Sequence, residues 1–276
     1  MEIIVNRISK VWNYVTRVIP QMGPPYVRNL LGSQRYPLLS ESELMATRTS
    51  DTAFVFGSGY SLNHIDPETW EWISKHDTVS FREFPRQDFV RADYHVTAEV
   101  DDLAEYTRLI RENRNYTRTI FVIQEGWTAW HGNNIVGRGL LNAGSRVVRF
   151  KRTGRGVYRS PSRTLSEGLI HGYNSSISTT NFAIVMGWKN IVLTGIDLYD
   201  KRYFWLPPDT GRSYEKPGVM FDAEFTNASP IVDYFGRWRD ELEPDGIKLW
   251  VMNPKSLLAN VLPVYESMPS SVQTLA

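Results

Sequence analysis

The chain has 276 residues, 42% of them hydrophobic, which is enough to bury one sizeable core. Its formal net charge is +1, which excludes a strong overall field for nucleic acid or another polyanion. The lack of cysteine excludes a disulfide framework and thiolate metal sites, and it is compatible with a reducing compartment.

The first fifty residues are predicted to contain one amphipathic helix and a connector. Apolar residues recur at helical spacing over residues 3–19, with basic residues between them. Pro20 is expected to end this helix, and Gly23–Pro25 to prevent its resumption, which leaves residues 20–50 as a loose connector. The helix is too short and too charged to span a bilayer, so we expect it to lie on an anionic membrane surface or to dock on protein.

The segment Thr52–Asp66, TAFVFGSGYSLNHID, is central to the functional interpretation. A short apolar run, typical of a buried strand, is followed by the turn Gly57–Gly59 and by a helix start at Ser61. Glycine lets the backbone approach a phosphate closely, and free amides at a helix N-terminus point at it. Leu62 replaces the third glycine of the dinucleotide fingerprint, so the motif alone predicts either a nucleotide phosphate site or a plain tight turn.

Strands and helices alternate along the middle of the chain, which implies βαβ units and a mainly parallel sheet. The predicted elements are helix Pro67–Lys75, strand Thr78–Phe81, strand Tyr94–Ala98, helix Leu103–Asn113 and strand Arg118–Ile123. Ligands of such sheets bind outside the carboxyl ends of the strands. That rule selects Ser58, Arg82 and Glu99, each of which would otherwise be a turn or salt-bridge residue.

The periodic pattern breaks down between Gly126 and Gly172. Eight basic residues and no acidic one lie between Arg138 and Ser166. This composition predicts either a solvated face or a surface for an anionic acceptor or membrane.

A second set of strand ends follows. Helix Ser175–Met186 begins with small hydroxyl and amide side chains, so we expect its first amides to face a ligand. A buried strand at Ile191–Thr194 leads to Asp197, and strand Ile247–Met252 leads to Asn253 and a proline-initiated helix.

Three blocks of the sequence together resemble the bacterial sialyltransferases of glycosyltransferase family 42. They are FGSGYSLNHID, the serine-rich helix start with GWKNIVLTGIDLY, and IKLWVMNPKSLLAN. The similarity covers roughly residues 52–262 and is strongest over residues 52–66, 173–203 and 247–262. Residues 126–172 match poorly.

This resemblance implies a Rossmann-like α/β domain of the GT-A-like variant, with helices on both faces of the sheet. The implied reaction is metal-independent, inverting transfer of sialic acid or a related nonulosonic acid from a CMP-activated donor. The acceptor would be a cell-surface glycan or a lipid-linked glycan of the lipopolysaccharide kind, and no cofactor would be needed. We therefore divide the chain into residues 1–50, a catalytic domain at 51–265 with a lid at 200–225, and a tail at 266–276.

The resemblance and the strand-end rule also assign individual residues. The tyrosines that bind the leaving phosphate in the family match Tyr199 and Tyr203. No Asp-x-Asp triplet occurs in the sequence, which agrees with a metal-free mechanism. The predicted nucleotide and donor contacts are Gly57, Ser58, Gly59, Ser61, Arg82, Glu99, Ser175, Ser176, Asp197, Asn253, Pro254 and Ser256.

The sequence departs from the family pattern at the donor contacts and at the base. The family has asparagine at the positions of Ser58 and Arg82, and its general-base histidine would fall near Phe225. Residues 218–230 contain no histidine. The alternative bases are Asp222, Glu224, His171 and His131. These changes leave open a related CMP-sugar, a different nucleotide or a lost activity.

Two other functions remain as alternatives. One is an enzyme resembling pterin diphosphokinases, with ATP and Mg²⁺; the other is an inactive nucleotide-sugar-binding protein. The P-loop, zinc-protease and nucleophile-elbow motifs are missing from the sequence, which argues against those enzyme classes. We expect a cytoplasmic protein that binds a nucleotide-sugar donor and a glycan or glycolipid acceptor, with no nucleic acid partner. Peripheral contact with the inner face of the cytoplasmic membrane and homo-oligomer formation are left open.

Overall fold

The structure is a computed structural model that describes residues 19–32, 35–97, 99–100, 102–198, 202–207 and 229–266. The predicted amphipathic helix, apart from its last residue, lies outside the described residues, as do most of the predicted lid and most of the tail. Membrane contact, self-association and the division at residues 50 and 265 stay predictions. Within the described ranges, no helix combines the length and the apolar character needed to cross a membrane.

Seven parallel strands form the central sheet, which confirms the predicted fold class. They are β1 Thr52–Phe56, β2 Asp77–Phe81, β3 Tyr94–Thr97, β4 Ile120–Gln124, β5 Arg146–Phe150, β8 Asn190–Thr194 and β9 Lys248–Val251. Their order is β5-β4-β3-β2-β1-β8-β9. Two further strands, β6 at Arg152–Arg155 and β7 at Leu169–Gly172, form a separate parallel pair.

Seven α-helices are described beside these strands. They are α1 Ile19–Gly32, α2 Glu41–Met45, α3 Pro67–Ile73, α4 Leu103–Glu112, α5 Trp130–Arg138, α6 Ser175–Val185 and α7 Ser229–Leu242. Short 3₁₀ helices occur at Tyr60–His64, Phe84–Arg86, Arg114–Tyr116, Glu243–Asp245 and Leu257–Asn260. The predicted helix start at Ser61 is thus a 3₁₀ turn.

The sheet is buried on both faces, and β1 shows this most clearly. Successive side chains of a strand point to opposite faces. Ala53 and Val55 belong to the core cluster that contains residues of α6 and α7, whereas Phe54 and Phe56 belong to the cluster that contains residues of α3. Burial on both faces explains why these strands read as continuous apolar runs rather than as alternating patterns.

The predicted connector at residues 20–50 is wrong, because α1 continues through Pro24 and Pro25 and α2 follows it. α1 packs on α5. A Cβ atom at Gly137 would lie 2.7 Å from the backbone nitrogen of Asn29, so only glycine permits this approach of the two helices. The Asn29 side chain donates to Asn133 Oδ1 over 2.7 Å. Tertiary packing therefore outweighs the low helix propensity of the two prolines.

Residues 126–172 hold α5, β5, β6 and β7 rather than irregular chain. The sequence of α5, WHGNNIVGR, contains glycine and asparagine, which are poor helix formers. Asn133 and Asn134 are nevertheless buried, and their amide groups donate to the carbonyls of Gly126 and Trp130, both over 2.9 Å. Because the buried face of this helix contains polar side chains with satisfied hydrogen bonds, the sequence does not show apolar residues at helical spacing.

His95 on β3 is a buried ionisable residue of the core. Its Nδ1 lies 2.8 Å from Ser80 Oγ, and its Nε2 has no hydrogen-bond partner. Burial lowers the pKa of His95 to about 3. The native ring therefore stays neutral at pH values where the ring of the unfolded chain is charged.

We expect this histidine to destabilise the fold in acid. An unfolded histidine has a pKa near 6.5, so the unfolded state binds one more proton than the native state between about pH 6.5 and 3. Above that window, the neutral His95 does not lower the free energy of unfolding. Inside the window, the free energy of unfolding falls by about 1.4 kcal/mol for each unit by which the pH decreases. The free energy of unfolding, measured with urea between pH 7 and 5, should depend less steeply on pH in His95→Gln than in the parent. The difference in slope should correspond to about one bound proton. An unchanged slope for His95→Gln would contradict the assignment.

Candidate functional site

The strand order reverses beside β1, since β2 flanks β1 on one side and β8 flanks it on the other. In open α/β sheets, ligands bind in the crevice outside the carboxyl ends of the strands at this kind of reversal. The turns that follow β1, β8 and β9 meet there. These turns belong to the three sequence blocks described above.

Asp197, in the turn after β8, joins these three turns. Its carboxylate is buried, and Oδ2 accepts a hydrogen bond from the Ser61 amide over 3.0 Å. Oδ1 accepts from the Ser61 hydroxyl over 2.6 Å and from Asn253 Nδ2 over 3.0 Å. The hydroxyl of Ser256 donates to the carbonyl of Ile196 over 2.7 Å and adds a second link between the turns. We call Ser61, Asp197 and Asn253 the Asp197 cluster.

The two glycines of the first turn are needed for close packing. A Cβ atom at Gly57 would lie 2.3 Å from the carbonyl oxygen of Gly195, and one at Gly59 would lie 2.2 Å from Asp197 Oδ2. The Gly57 amide donates to the Thr194 carbonyl and the Gly59 amide to the Gly195 carbonyl, both over 2.7 Å.

The expectation of free amides at this turn is therefore wrong for Gly57, Gly59 and Ser61. The turn after β8 lies so close that its carbonyls and the Asp197 carboxylate already accept from these donors. A carboxylate thus occupies the place at the 3₁₀ helix start where a phosphate was predicted. Contacts of these residues to a nucleotide through other atoms stay predictions.

Tyr203 lies directly beside the glycine turn. Its backbone forms a β-bridge with Gly59, and the amide of the next residue, Phe204, donates to the Ser58 carbonyl over 3.2 Å. Asn63 Nδ2 also donates to the Phe204 carbonyl over 2.9 Å. Tyr203 is therefore next to the predicted donor site. Tyr199, Asp222 and Glu224 lie outside the described residues.

A basic cluster, made of Arg82, Glu99, Arg152 and His171, lies at the carboxyl ends of β2 and β3. Arg152 Nη1 donates to Glu99 Oε1 over 2.7 Å, and Arg82 Nη1 lies 3.7 Å from Glu99 Oε2. Burial raises the pKa of Glu99, but the hydrogen bond and charge of Arg152, with Arg82, outweigh it and lower the pKa overall. Two guanidinium groups around one carboxylate leave a positive site.

His171 on β7 is 4% exposed, and its Nδ1 lies 3.0 Å from Ser178 Oγ. Burial first, and then the charge of Arg152, lowers its pKa to about 4. The ring is therefore neutral near pH 7 and can accept a proton, although it is a weak base. His131, the other predicted alternative, lies on α5 with its ring edge against Trp130.

Two residues at the strand ends have left-handed backbones that favour glycine. They are Arg82, with φ of 52° after β2, and Leu198, with φ of 62° after β8. Such conformations cost about 1–3 kcal/mol in residues other than glycine and occur most often at functional sites. Asparagine tolerates this region better than most residues. The backbone at Arg82 thus suits the asparagine that the resembled family has there.

The remaining predicted contacts lie around the same edge. Ser175 and Ser176 begin α6, where Asn174 caps the helix by accepting from the Ile177 amide over 3.2 Å. The Ser176 hydroxyl donates to Asn174 Oδ1 over 2.7 Å. Pro254 is exposed beside Asn253 in the turn after β9.

Sequence reasoning missed Arg152 and Trp205. Arg152 lies in the stretch that matches the family poorly, and only the run of basic residues without an acid pointed to it. Trp205 stacks on Tyr203, with ring centroids 4.4 Å apart. Over the described part of the chain, no group of three or more histidine, aspartate or glutamate side chains is placed to hold a metal ion.

No family profile and no curated protein matches the sequence. Among solved structures, the MAf glycosyltransferase of Magnetospirillum magneticum AMB-1 matches with a TM-score of 0.55 and 17% identity. The match covers 91% of this chain but only 39% of that protein, so the chain spans about two fifths of its length. The sialyltransferase CstII of Campylobacter jejuni, in complex with CMP-3FNeuAc, matches with a TM-score of 0.47, 16% identity and coverage of 78% and 86% of the two chains. Another CstII structure, with a trisaccharide acceptor and CMP, scores 0.44 at 18% identity, with coverage of 78% and 86%. The fold assignment rests on the first match, and the chain shares the Rossmann-like fold of that glycosyltransferase.

Proposed function

We propose that the chain is a glycosyltransferase that moves sialic acid or a related nonulosonic acid from a CMP-activated donor to a glycan acceptor. The Asp197 cluster is the observation that carries the proposal. It joins Ser61, Asp197 and Asn253, one residue from each block that resembles family 42. These residues meet at the strand-order reversal, where α/β sheets bind their ligands.

The basic cluster is the proposed place for the negative charge of the donor. Arg82 and Arg152 supply two guanidinium groups, and Glu99 holds them in position. Guanidinium groups bind carboxylates and phosphates through paired, charge-assisted hydrogen bonds. A nonulosonic acid linked to CMP carries one group of each kind, so its charge complements this cluster.

The proposed reaction needs neither a metal ion nor another cofactor. The acceptor oxygen attacks the anomeric carbon while the bond from that carbon to the phosphate oxygen breaks, and CMP leaves with the bonding electrons. Hydroxyl donors from Tyr199 and Tyr203 stabilise the charge that develops on the phosphate. A general base takes the proton of the acceptor hydroxyl. His171 is neutral near pH 7 and is the proposed base among the described residues.

The proposal predicts that CMP stabilises the protein without a metal. A ligand at 100 times its dissociation constant adds about 2.7 kcal/mol to the free energy of unfolding. Thermal unfolding with CMP, CDP, UDP, GDP and ATP, each with and without Mg²⁺, provides the measurement. A shift with ATP and Mg²⁺ but none with CMP would favour the diphosphokinase alternative.

A pair of arginine variants separates donor binding from general charge effects. Arg152→Gln should weaken the stabilisation by CMP-sialic acid, because it removes a guanidinium group from the basic cluster. Arg163→Gln removes an arginine from the same basic stretch, but Arg163 is paired with Asp245 outside this cluster. It should keep the parent response, and an equal loss in both variants would contradict the proposed donor site.

A further inference from the structure

We propose that a cavity beside Tyr203 binds an uncharged or amino sugar ring of the acceptor; this inference rests on the proposed function. The cavity has a volume of about 220 Å³. It is lined by three aromatic residues, Tyr106, Tyr203 and Trp205, which we call its aromatic side, and by four charged residues, Glu83, Arg86, Asp102 and Glu105, which we call its polar side. At about 30 Å³ per water, the space equals about seven waters, which suits one pyranose ring.

The aromatic side presents the kind of surface on which sugar rings pack. The rings of Tyr203 and Trp205 are stacked, with 8° between their planes. Both side chains are half-buried, so the pair offers a preformed apolar face together with polar tips. The C–H groups of one face of a pyranose ring complement such a surface.

The polar side complements the hydroxyl groups of a sugar. Arg86 Nε donates to Glu83 Oε2 over 2.6 Å, and its Nη1 donates to Glu105 Oε1 over 3.1 Å. A hydrogen bond from Arg108 is the main cause that lowers the pKa of Glu105, which therefore stays an ionised acceptor. Each carboxylate oxygen has two lone pairs, so these groups can accept from sugar hydroxyls while they hold Arg86.

The charge of the lining selects against an acidic sugar. Glu83, Asp102 and Glu105 give three negative charges against the positive charges of Arg86 and of Arg108, which pairs with Glu105, a balance of −1. A carboxylate placed here meets like charges. The donor sugar, a nonulosonic acid, is therefore a poor occupant, and an uncharged or amino sugar of the acceptor is a good one.

The polarity of the whole site supports this division. Arg82 and Glu83 are neighbours in the chain, but Arg82 lies near Glu99 in the basic cluster whereas Glu83 pairs with Arg86 in the cavity. Tyr203 contributes to the cavity wall and also forms the bridge to Gly59. The acceptor cavity thus adjoins the glycine turn, while the positive charge for the donor lies around Arg82 and Glu99.

Saturation-transfer NMR with three methyl glycosides tests the inference. Methyl β-galactopyranoside and methyl β-glucosaminide should bind, and methyl β-glucuronide should bind at least about tenfold more weakly. Trp205→Ala should weaken binding of the first two about tenfold, near the upper end of a stacking contribution. Trp130→Ala, which removes a half-buried tryptophan outside the cavity, should leave binding unchanged.

The charge argument has its own variant. Glu83→Gln with Glu105→Gln should bring glucuronide binding close to that of the galactoside. The inference is overturned if neither uncharged nor amino glycoside binds, if Trp205→Ala has no effect, or if the parent binds glucuronide as well as galactoside. CMP thermal shifts measured on the same samples separate the two ideas. If the parent protein binds glycosides but CMP does not raise its unfolding temperature, the result counts against the proposed donor. If CMP raises the unfolding temperature but no glycoside binds, the result counts against this cavity alone.

Discussion

Tyr199→Phe and Tyr203→Phe should each slow turnover of a CMP-sugar by about 10²–10³-fold, or roughly 2.7–4 kcal/mol of transition-state stabilisation. Each change removes one hydroxyl donor to the leaving phosphate and keeps the aromatic ring. At Tyr203 the stack on Trp205 and the backbone bridge to Gly59 should both survive, since neither uses the hydroxyl. Hydrolysis of CMP-sialic acid provides the readout while the acceptor is unidentified.

Ground-state binding gives the matching control for this experiment. The contacts are strongest when the glycosidic bond is breaking, so affinity for CMP should change much less than turnover. Tyr26→Phe, on α1 with its ring edge against Trp127, should keep both turnover and affinity. Rates within about threefold of the parent for both site variants would exclude the leaving-group role, because the expected loss is far larger.

Asp197→Ala should destabilise the fold by about 3 kcal/mol or more. The change leaves the Ser61 amide and the Asn253 side chain without their charged acceptor, and hydrogen bonds to charged groups are each worth about 1.5–3 kcal/mol. Asp197→Asn keeps the shape but loses the charge and one acceptor oxygen, so we expect a smaller loss. Urea unfolding measures both, and Asp197→Ala should also lose the CMP-induced shift because the three turns separate.

A surface carboxylate gives the contrast. Asp245 pairs with Arg163 over 2.6 Å, and both side chains are at least two-fifths exposed. Exposed pairs contribute about 0–1 kcal/mol, so Asp245→Ala should have little effect. A loss of less than about 1 kcal/mol for Asp197→Ala would show that water replaces the carboxylate, and the Asp197 cluster would then not be what joins the three turns.

Six strands of the central sheet were predictable because burial on both faces makes them apolar runs, as in β1 and β8, whereas β5, β6 and β7 lie where the periodic pattern breaks down. Helix α5 was not, because its buried asparagines and glycines satisfy packing and hydrogen bonding without an apolar stripe. The prolines of α1 predicted a break in the helix, but the contacts of Asn29 with α5 outweigh their low helix propensity.

The site was predictable only as far as its edge of the sheet. The strand-end rule selected Ser58, Arg82 and Glu99, which follow β1, β2 and β3 along one edge of the sheet, and their contacts to a ligand stay predictions. The strand-end rule did not predict the hydrogen-bond partners of Asp197, because Ser61 lies 136 residues away along the chain and Asn253 lies 56 residues away. The types of the individual residues do not show that a carboxylate will accept a hydrogen bond from an amide that follows the glycine turn.

The place of β8 between β1 and β9 has a consequence for how the chain folds during synthesis. Ala53 pairs with Asp77 in β2, 24 residues later, and with Ile191 in β8, 138 residues later. Closing the loop between β1 and β8 therefore costs about 1.5 kcal/mol more in chain entropy than closing the loop between β1 and β2. At about 5–20 residues per second, a ribosome needs roughly 7–28 seconds to supply those 138 residues. During that interval β1 has an open edge, so nascent chains that stop before Asn190 should aggregate and depend on chaperones.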